Sequence, residues 1–506
     1  MSYVLSVDSG TTASKISLFN EKGELLGIST QEYQLITPTS LEVEIKAETL
    51  WNAFRAGVAD VLEKTKADPK EIRALGISAQ GETLILINKE GETLRNAVSW
   101  MDNRAQEEAD ILDKKFDDGT SFKITGQVKL VPTWPASKIL WIKRHEPDIF
   151  KKVHKYLLVE DYLIWRMTDA FVAEGSLLCS TCYWNIVTKK WWGEMLSYLG
   201  IDEDQLPNIR ESGEPIGEIK TDVAAELGLS PKTVVSTGAL DQVAGAIGVG
   251  NIRPGIFSEN TGAALAICAP LKKPVFDPQG RMPIHYFGIP DTYMAHTFTT
   301  GGMVLRWFRD KFCTAEMEVG AGTGLDPYYL MDQEVARIKP GSEGLVMLPH
   351  LQGAMAPEAN PKAKGVFYGF TLRHTKAHFA RAIMESIACI VRRNIDVLED
   401  LKIKVEEIRV LGGGARSNLW NQIKADLTRK PVLTTKNPEA ACLGAAILAG
   451  KAVGMFKSLE DATDNMITIQ KRFEPDPENS EVYRRTYERY VKLYDDLYGM
   501  FAGEKE

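Results

Sequence analysis

A chain of 506 residues, 44% hydrophobic and 25% charged, has room for two or three domains with ordinary globular cores. A net charge of −8 and a pI near 5.6 argue against a nucleic-acid partner, which needs a basic face. No apolar run reaches the ~20 residues that span a bilayer, and Asp8 comes too early for the apolar core of a signal peptide, so a cytoplasmic protein without a membrane partner is expected.

Three strands are expected first, around 3–8, 14–20 and 24–32. The turn between the first two, Asp8-Ser9-Gly10-Thr11-Thr12-Ala13-Ser14-Lys15, carries a glycine and two threonine hydroxyls, and its backbone N–H groups are free to point at an anion. Asp8 offers the hard oxygen that magnesium prefers, and Lys15 adds a cation. An ordinary polar hairpin has the same composition, so both readings stand at this point. A helix over 47–66 follows, with Leu50, Trp51, Phe54, Val58 and Val61 at helical spacing, and then a buried strand over 72–78. Strands, a helix and a strand open a mixed sheet with helices on its faces.

Cys179 and Cys182 form a C-x-x-C without a second ligand pair, and a packed strand is expected there rather than a redox or metal site. His374 and His378 share a helical face but lack a nearby cysteine or the H-E-x-x-H pattern. Six cysteines in so long a chain read as reduced thiols.

Residues 233–242 read as a buried strand, a tight turn and the start of a small-residue helix. Asp241 at that turn has two readings, the N-cap of the helix or a general base facing a cleft. After Gly250 the pattern restarts: a strand, the turn Glu259-Asn260-Thr261-Gly262 and an apolar run echo the first hairpin, implying an approximate duplication around a cleft. Near the end, Gly412-Gly413-Gly414 lies between a strand and a helix, where backbone approaches a ligand closely; neither P-loop nor dinucleotide fingerprint is matched. The tail from 456 is expected to be helical, with Tyr483, Tyr487, Tyr490, Tyr494 and Tyr498 on one face, packed on the body or in a dimer interface.

The two hairpins, the Leu240-Asp241-Gln242 turn, GGGARSNLWNQIKADLTRKPV and EAACLGAAILAG together resemble the FGGY carbohydrate kinases, of the sugar kinase, hsp70 and actin superfamily. The resemblance implies an α/β fold of two ribonuclease-H-like domains, with 1–250 on the sugar and phosphate side, 251–455 on the nucleotide side and 456–506 as a tail. It implies that ATP and Mg2+ are cofactors, that the partner is a small sugar or polyol, and that the protein is a homodimer. Carried over, Asp8 places magnesium; Gly10, Thr11, Thr12 and Lys15 face the terminal phosphates, as do Thr261 and Gly262 from the second half. Gly301, Gly413, Gly414, Ala415 and Asn418 line the nucleotide site. Asp241 is the base, with Gln242 beside it, and Gln80, Glu82, Trp100 and Asp102 meet the sugar. Trp100 is a platform for an apolar sugar face and Asp102 a hydroxyl acceptor. Glu82 stands where xylulokinases carry a histidine and resembles the glutamate of glycerol kinases, with Gly81 in place of their arginine; Asn360 and Lys364 stand where relatives show Asp and Arg. The overall texture is nearer xylulokinases and gluconokinases than glycerol kinases; a ketopentose such as xylulose is expected, with gluconate, glycerol or another polyol as alternatives. The same superfamily leaves open an ATP-driven switch or a non-catalytic sugar sensor.

Overall fold

A computed structural model describes residues 2–116 and 119–503. The first half is built on a sheet of β1 (Tyr3–Ser9), β2 (Ala13–Asn20), β3 (Leu25–Glu32), β4 (Ile72–Ala79), β5 (Pro215–Glu218), β6 (Val234–Ser236) and the short β7 (Ala239–Leu240). Its order is 3-2-1-4-6-5, with β7 also beside β4; β1, β4 and β6 run parallel and the outer pairs are antiparallel. The second half repeats this plan with β8 (Gly255–Thr261), β9 (Ala264–Leu271), β10 (Ile284–Tyr286), β11 (Tyr293–Thr300), β12 (Val405–Leu411), β13 (Val432–Thr435) and β14 (Ile469–Phe473). Here the order is 10-11-9-8-12-13-14, and strands 11-9-8-12-13-14 match 3-2-1-4-6-5 in both sequence of pairing and direction. The duplication read from two glycine turns is therefore a duplication of topology.

Helices cover the sheets. In α1 (Ala47–Thr65) the expected stripe of Leu50, Trp51, Phe54, Val58 and Val61 is buried against the first sheet, and Lys66 ends the helix in the left-handed region at φ 53°. The second core gathers around Phe257, Ile408 and the long α4 (Lys376–Asp400). Between the sheets, α3 (Asp241–Gly248) lies on α6 (Ala440–Ala452), with α2 (Val159–Thr168) behind the first sheet and α5 (Asn418–Thr428) behind the second. The α3–α6 contact depends on glycine twice. A Cβ at Gly248 would stand 1.9 Å from the Ala440 carbonyl oxygen, and one at Gly444 1.8 Å from that of Ala244. Backbone meets backbone there, and the start of α3 is delivered to the seam between the halves.

Two expectations need correction. The tail is not helical throughout: Ile469–Phe473 is a strand that extends the second sheet, because its backbone completes the open edge of β13. The last helix, α7 (Pro477–Gly503), buries Tyr483, Tyr490 and Tyr494 in its own chain, so most of the tyrosine face packs on the body. Cys179 and Cys182 are not on a strand either. Cys179 ends the short helix Gly175–Leu178, and Cys182 lies in a turn at φ 64°; both are buried free thiols, as are the other four cysteines. No described helix is long and apolar enough to cross a membrane.

Candidate functional site

At the C-terminal ends of β1 and β4 the register sets Asp8 opposite Lys15 across one ladder and opposite Ser78 across the other. The Ser78 hydroxyl donates to Asp8 Oδ1 at 2.7 Å. Burial nevertheless raises the Asp8 pKa, while Ser78 and Lys15 pull it down. The phosphate-type turn is braced from both sides. Gly10 N–H donates to Ala13 O at 3.0 Å, and the Gly10 carbonyl accepts from Tyr33 Oη (2.5 Å) and Gln80 Nε2 (2.8 Å). Trp100 Nε1 donates to Thr11 Oγ1 at 2.8 Å, which ties the tryptophan to the hairpin. Thr12 is exposed at the tip.

Asp241 is the first residue of α3, and Leu240 occupies the N-cap position. The capping reading is therefore displaced by one residue, although Asp241 Oδ1 still accepts from Gln242 N at 2.7 Å. Burial, then the charges of Asp8 and Glu82, push the Asp241 pKa up to about 8. Three carboxyls thus share one end of the cleft. Glu82 is held at φ 57°, and burial raises its pKa against a hydrogen bond from Ser180 and the charge of Lys138. Lys138 is only 1% exposed, donates to the Glu82 carbonyl at 2.8 Å, and is held below the usual lysine range by burial.

Lys138 was invisible to motif reading. It lies in the helix Pro135–His145, flanked by buried Ala136 and Ile139. A lysine on the apolar stripe of a helix was the available signal.

Two residues assigned to the sugar are already engaged. Asp102 is 1% exposed and accepts from Val43 N (2.7 Å) and from Arg104 N and Nε (3.0 and 2.9 Å), so its carboxylate ties down the loop around it. Gln80 is buried, with its amide on Gly10 and its carbonyl on Thr83. Gln242 faces the second half, where Asn260 Nδ2 donates to its Oε1 at 3.4 Å.

The second hairpin is supported by a fully buried pair: Lys424 Nζ donates to Glu259 Oε2 at 2.7 Å and to Thr261 Oγ1 at 3.2 Å. Thr261 also hydrogen-bonds Glu259, so its hydroxyl is turned inward, leaving backbone at Gly262 to face the cleft. Gly412 (φ 78°) and Gly414 pack on this hairpin. A Cβ at Gly412 would lie 2.4 Å from Asn260 Oδ1, and one at Gly414 2.7 Å from Thr261 Cβ. Gly301 packs equally closely on the start of β9, 2.4 Å from Leu265 N by the same measure.

A cavity of about 360 Å³ opens beside these loops, with Gly262, Gly413 and Gly414 on one wall and Tyr328, Tyr329 and Trp420 among its aromatic lining. Arg306 and Arg416 also line it, the second of them inside the GGGARSN motif. Ala415 and Asn418 stand outside this lining; the Asn418 carboxamide accepts from Lys471 at 3.0 Å. Lys15 is salt-bridged to Glu439 of the second half at 2.7 Å, so the first hairpin is linked across the seam. Among the described residues no group of three or more His, Cys, Asp or Glu is placed to hold a metal by itself.

The sequence model for the N-terminal domain of the FGGY family of carbohydrate kinases matches residues 3–248, and that for its C-terminal domain matches 265–453. The chain is 30% identical to a gluconokinase of Bacillus licheniformis over 493 residues, covering 97% of this chain and 95% of the relative. It is also 30% identical to a xylulose kinase of Bacillus subtilis (strain 168), covering 98% and 97%. Its fold superposes on a ligand-bound xylulose kinase from Lactobacillus acidophilus with a TM-score of 0.88, at 26% identity and 99% coverage of both chains.

Proposed function

The chain belongs to the FGGY family of carbohydrate kinases, and from that membership we propose that it transfers the terminal phosphoryl group of ATP to a hydroxyl of an uncharged sugar, a ketopentose such as xylulose. In this reading residues 1–250 hold the acceptor and one phosphate turn, 251–455 hold the nucleotide, and 456–506 support the second half. The observation that carries the choice of acceptor is the cluster of Asp8, Glu82 and Asp241, whose mutual repulsion contributes to lifting the Asp241 pKa to about 8. A neutral polyol donates hydroxyls to such acceptors, whereas a sugar acid brings a further negative charge to the cluster. Lys138, the cation whose charge acts on Glu82 among the described residues, donates to the Glu82 carbonyl.

Asp241 then accepts the proton of the attacking hydroxyl. A carboxylate whose proton affinity is raised toward the working pH is a better general base than an ordinary one. Phosphoryl transfer otherwise asks mainly for positioning and charge neutralisation. The turns at 10–12 and 261–263 offer backbone to phosphate oxygens through the residues that follow each glycine, whose own N–H is spent inside the turn, Arg306 and Arg416 flank the cavity, and Tyr328 and Tyr329 offer faces to a base. Magnesium fits this donor set, since a hard ion bound by phosphates and water needs only one or two carboxylates. Asp8 would hold it, and the ion would supply charge neutralisation at the phosphates.

The test is thermal stability with a magnesium complex of a non-hydrolysable ATP analogue and a panel of xylulose, gluconate and glycerol. A ligand bound only by the folded state raises stability with its concentration. Xylulose should raise the transition most. A shift with gluconate alone would replace the ketopentose by a sugar acid, and no shift with any sugar would favour a nucleotide switch.

A further inference from the structure

We propose that Glu160 and Glu174 are positioning residues of the phosphoryl transfer: two buried carboxyls hold the turn at 237–240 and thereby fix where Asp241 enters the cleft. The inference rests on Asp241 being the base. The segment joins β6 to α3; its residues 239–240 are β7, paired with β4, and just before them a Cβ at Gly238 would stand 1.4 Å from the Ile77 carbonyl oxygen. Only glycine fits, and its N–H points away from the sheet into protein. That N–H donates to Glu160 Oε1 at 2.9 Å. Two residues on, Leu240 N donates to Ser176 Oγ at 2.9 Å, and Ser176 Oγ donates in turn to Glu174 Oε1 at 2.6 Å. Both anchors therefore end on a glutamate from outside the sheet.

Neither glutamate is exposed at all. Glu174 collects three further donors: Ser176 N at 2.8 Å, Leu177 N at 2.8 Å and Ser212 Oγ at 2.6 Å. Glu160 receives only Gly238, and its Oε2 has no partner among the described residues. Burial and the neighbouring Glu174 raise the Glu160 pKa well above the usual carboxyl range, and its Oε1 remains the acceptor for Gly238. Burying such groups is costly, and apolar side chains of the same shape would serve the core as well or better. What apolar side chains lack is an acceptor for the two N–H groups that precede Asp241, which would be left buried and unpaired without one even though β7 pairs with β4.

The experiment compares kcat and KM for Glu160→Leu, Glu160→Gln, Ser176→Ala and Asp241→Asn, using purified full-length protein and its best sugar. Glu160→Gln keeps an acceptor oxygen and should stay within about threefold of wild-type kcat. Glu160→Leu should lose roughly 10- to 100-fold in kcat, the scale of a misplaced catalytic group, with both KM values little changed. Ser176→Ala removes a hydroxyl without opening a large cavity. It should fall in the same direction, and it decides the matter if Glu160→Leu does not fold. If Asp241→Asn is inactive while Ser176→Ala and Glu160→Leu keep wild-type kcat, the positioning role is refuted and the base stands. Equal losses in Glu160→Gln and Glu160→Leu, or losses carried by both KM values, also refute it. Full activity in Asp241→Asn removes the base and this proposal with it.

Discussion

Replacing Lys138 by methionine separates the sugar pocket from the nucleotide pocket. Methionine follows the path of the lysine stem, so the packing beside Ala136 and Ile139 is retained. What disappears is the hydrogen bond to the Glu82 carbonyl at 2.8 Å, charge-assisted when the ammonium is protonated, and that cation beside the Glu82 carboxyl. Hydrogen bonds to charged groups contribute about 1.5–3 kcal/mol, and a residue in the left-handed region stores about 1–3 kcal/mol of strain that needs such an anchor. Glu82, at φ 57°, should relax toward ordinary backbone and carry its carboxyl away from the acceptor. Against this, the variant no longer buries an ammonium, so fold stability should change less than sugar recognition does. At 1.4 kcal/mol per factor of ten, kcat/KM for the sugar should fall about 10- to 100-fold. The assay is ADP release against sugar concentration at saturating ATP, and against ATP at saturating sugar. A near-UV circular dichroism spectrum should establish that the variant is folded. A loss shared equally by ATP and sugar, or no loss for sugar in a folded variant, would refute the role given to Lys138.

Asp8→Ala should abolish most turnover and flatten activation by magnesium while sparing sugar affinity; an unchanged magnesium titration would remove Asp8 from the metal site. His350 is buried, neither ring nitrogen finds a partner among the described residues, and burial pushes its pKa down to about 4. The unfolded chain takes up this proton near pH 6.5 and the folded chain does not until about pH 4, so the associated stability is present above 6.5 and lost as pH falls. Between pH 7 and 5 the wild type should lose about 2 kcal/mol more than His350→Leu in urea unfolding. The comparison between proteins isolates His350, because buried acids with raised pKa values, such as Asp161 and Asp241, act in the opposite sense. Parallel stability curves would contradict the assignment.

Legibility followed the range of the interactions. The strands at 3–8 and 72–78, α1 and both glycine turns were readable because period and turn chemistry are local, and they survive in β1, β4, α1 and the hairpins. The strand Ile469–Phe473 was not, since its exposed, charged residues carry no buried face and its order comes from pairing with β13. In the site, Asp8 and Asp241 were readable from strand-end and helix-start positions. The partners of Asp102 and Lys138 were not, because Arg104, Val43 and the Glu82 carbonyl reach them only through the fold. Glu160 and Glu174, far from Asp241 in sequence, had no local signal at all.

The most direct test of the central claim is ADP formation by wild type and Asp241→Asn, each with ATP, magnesium and one of xylulose, gluconate or glycerol, and with product analysis for a sugar phosphate. The carboxamide is nearly isosteric and keeps the acceptor for Gln242 N. The account predicts xylulose-dependent ADP and a matching sugar phosphate in the wild type, and a kcat about 10²–10⁴-fold lower in the variant with both affinities retained. ATP hydrolysis that no sugar alters, or an Asp241→Asn variant that keeps more than about a tenth of wild-type kcat, would contradict it.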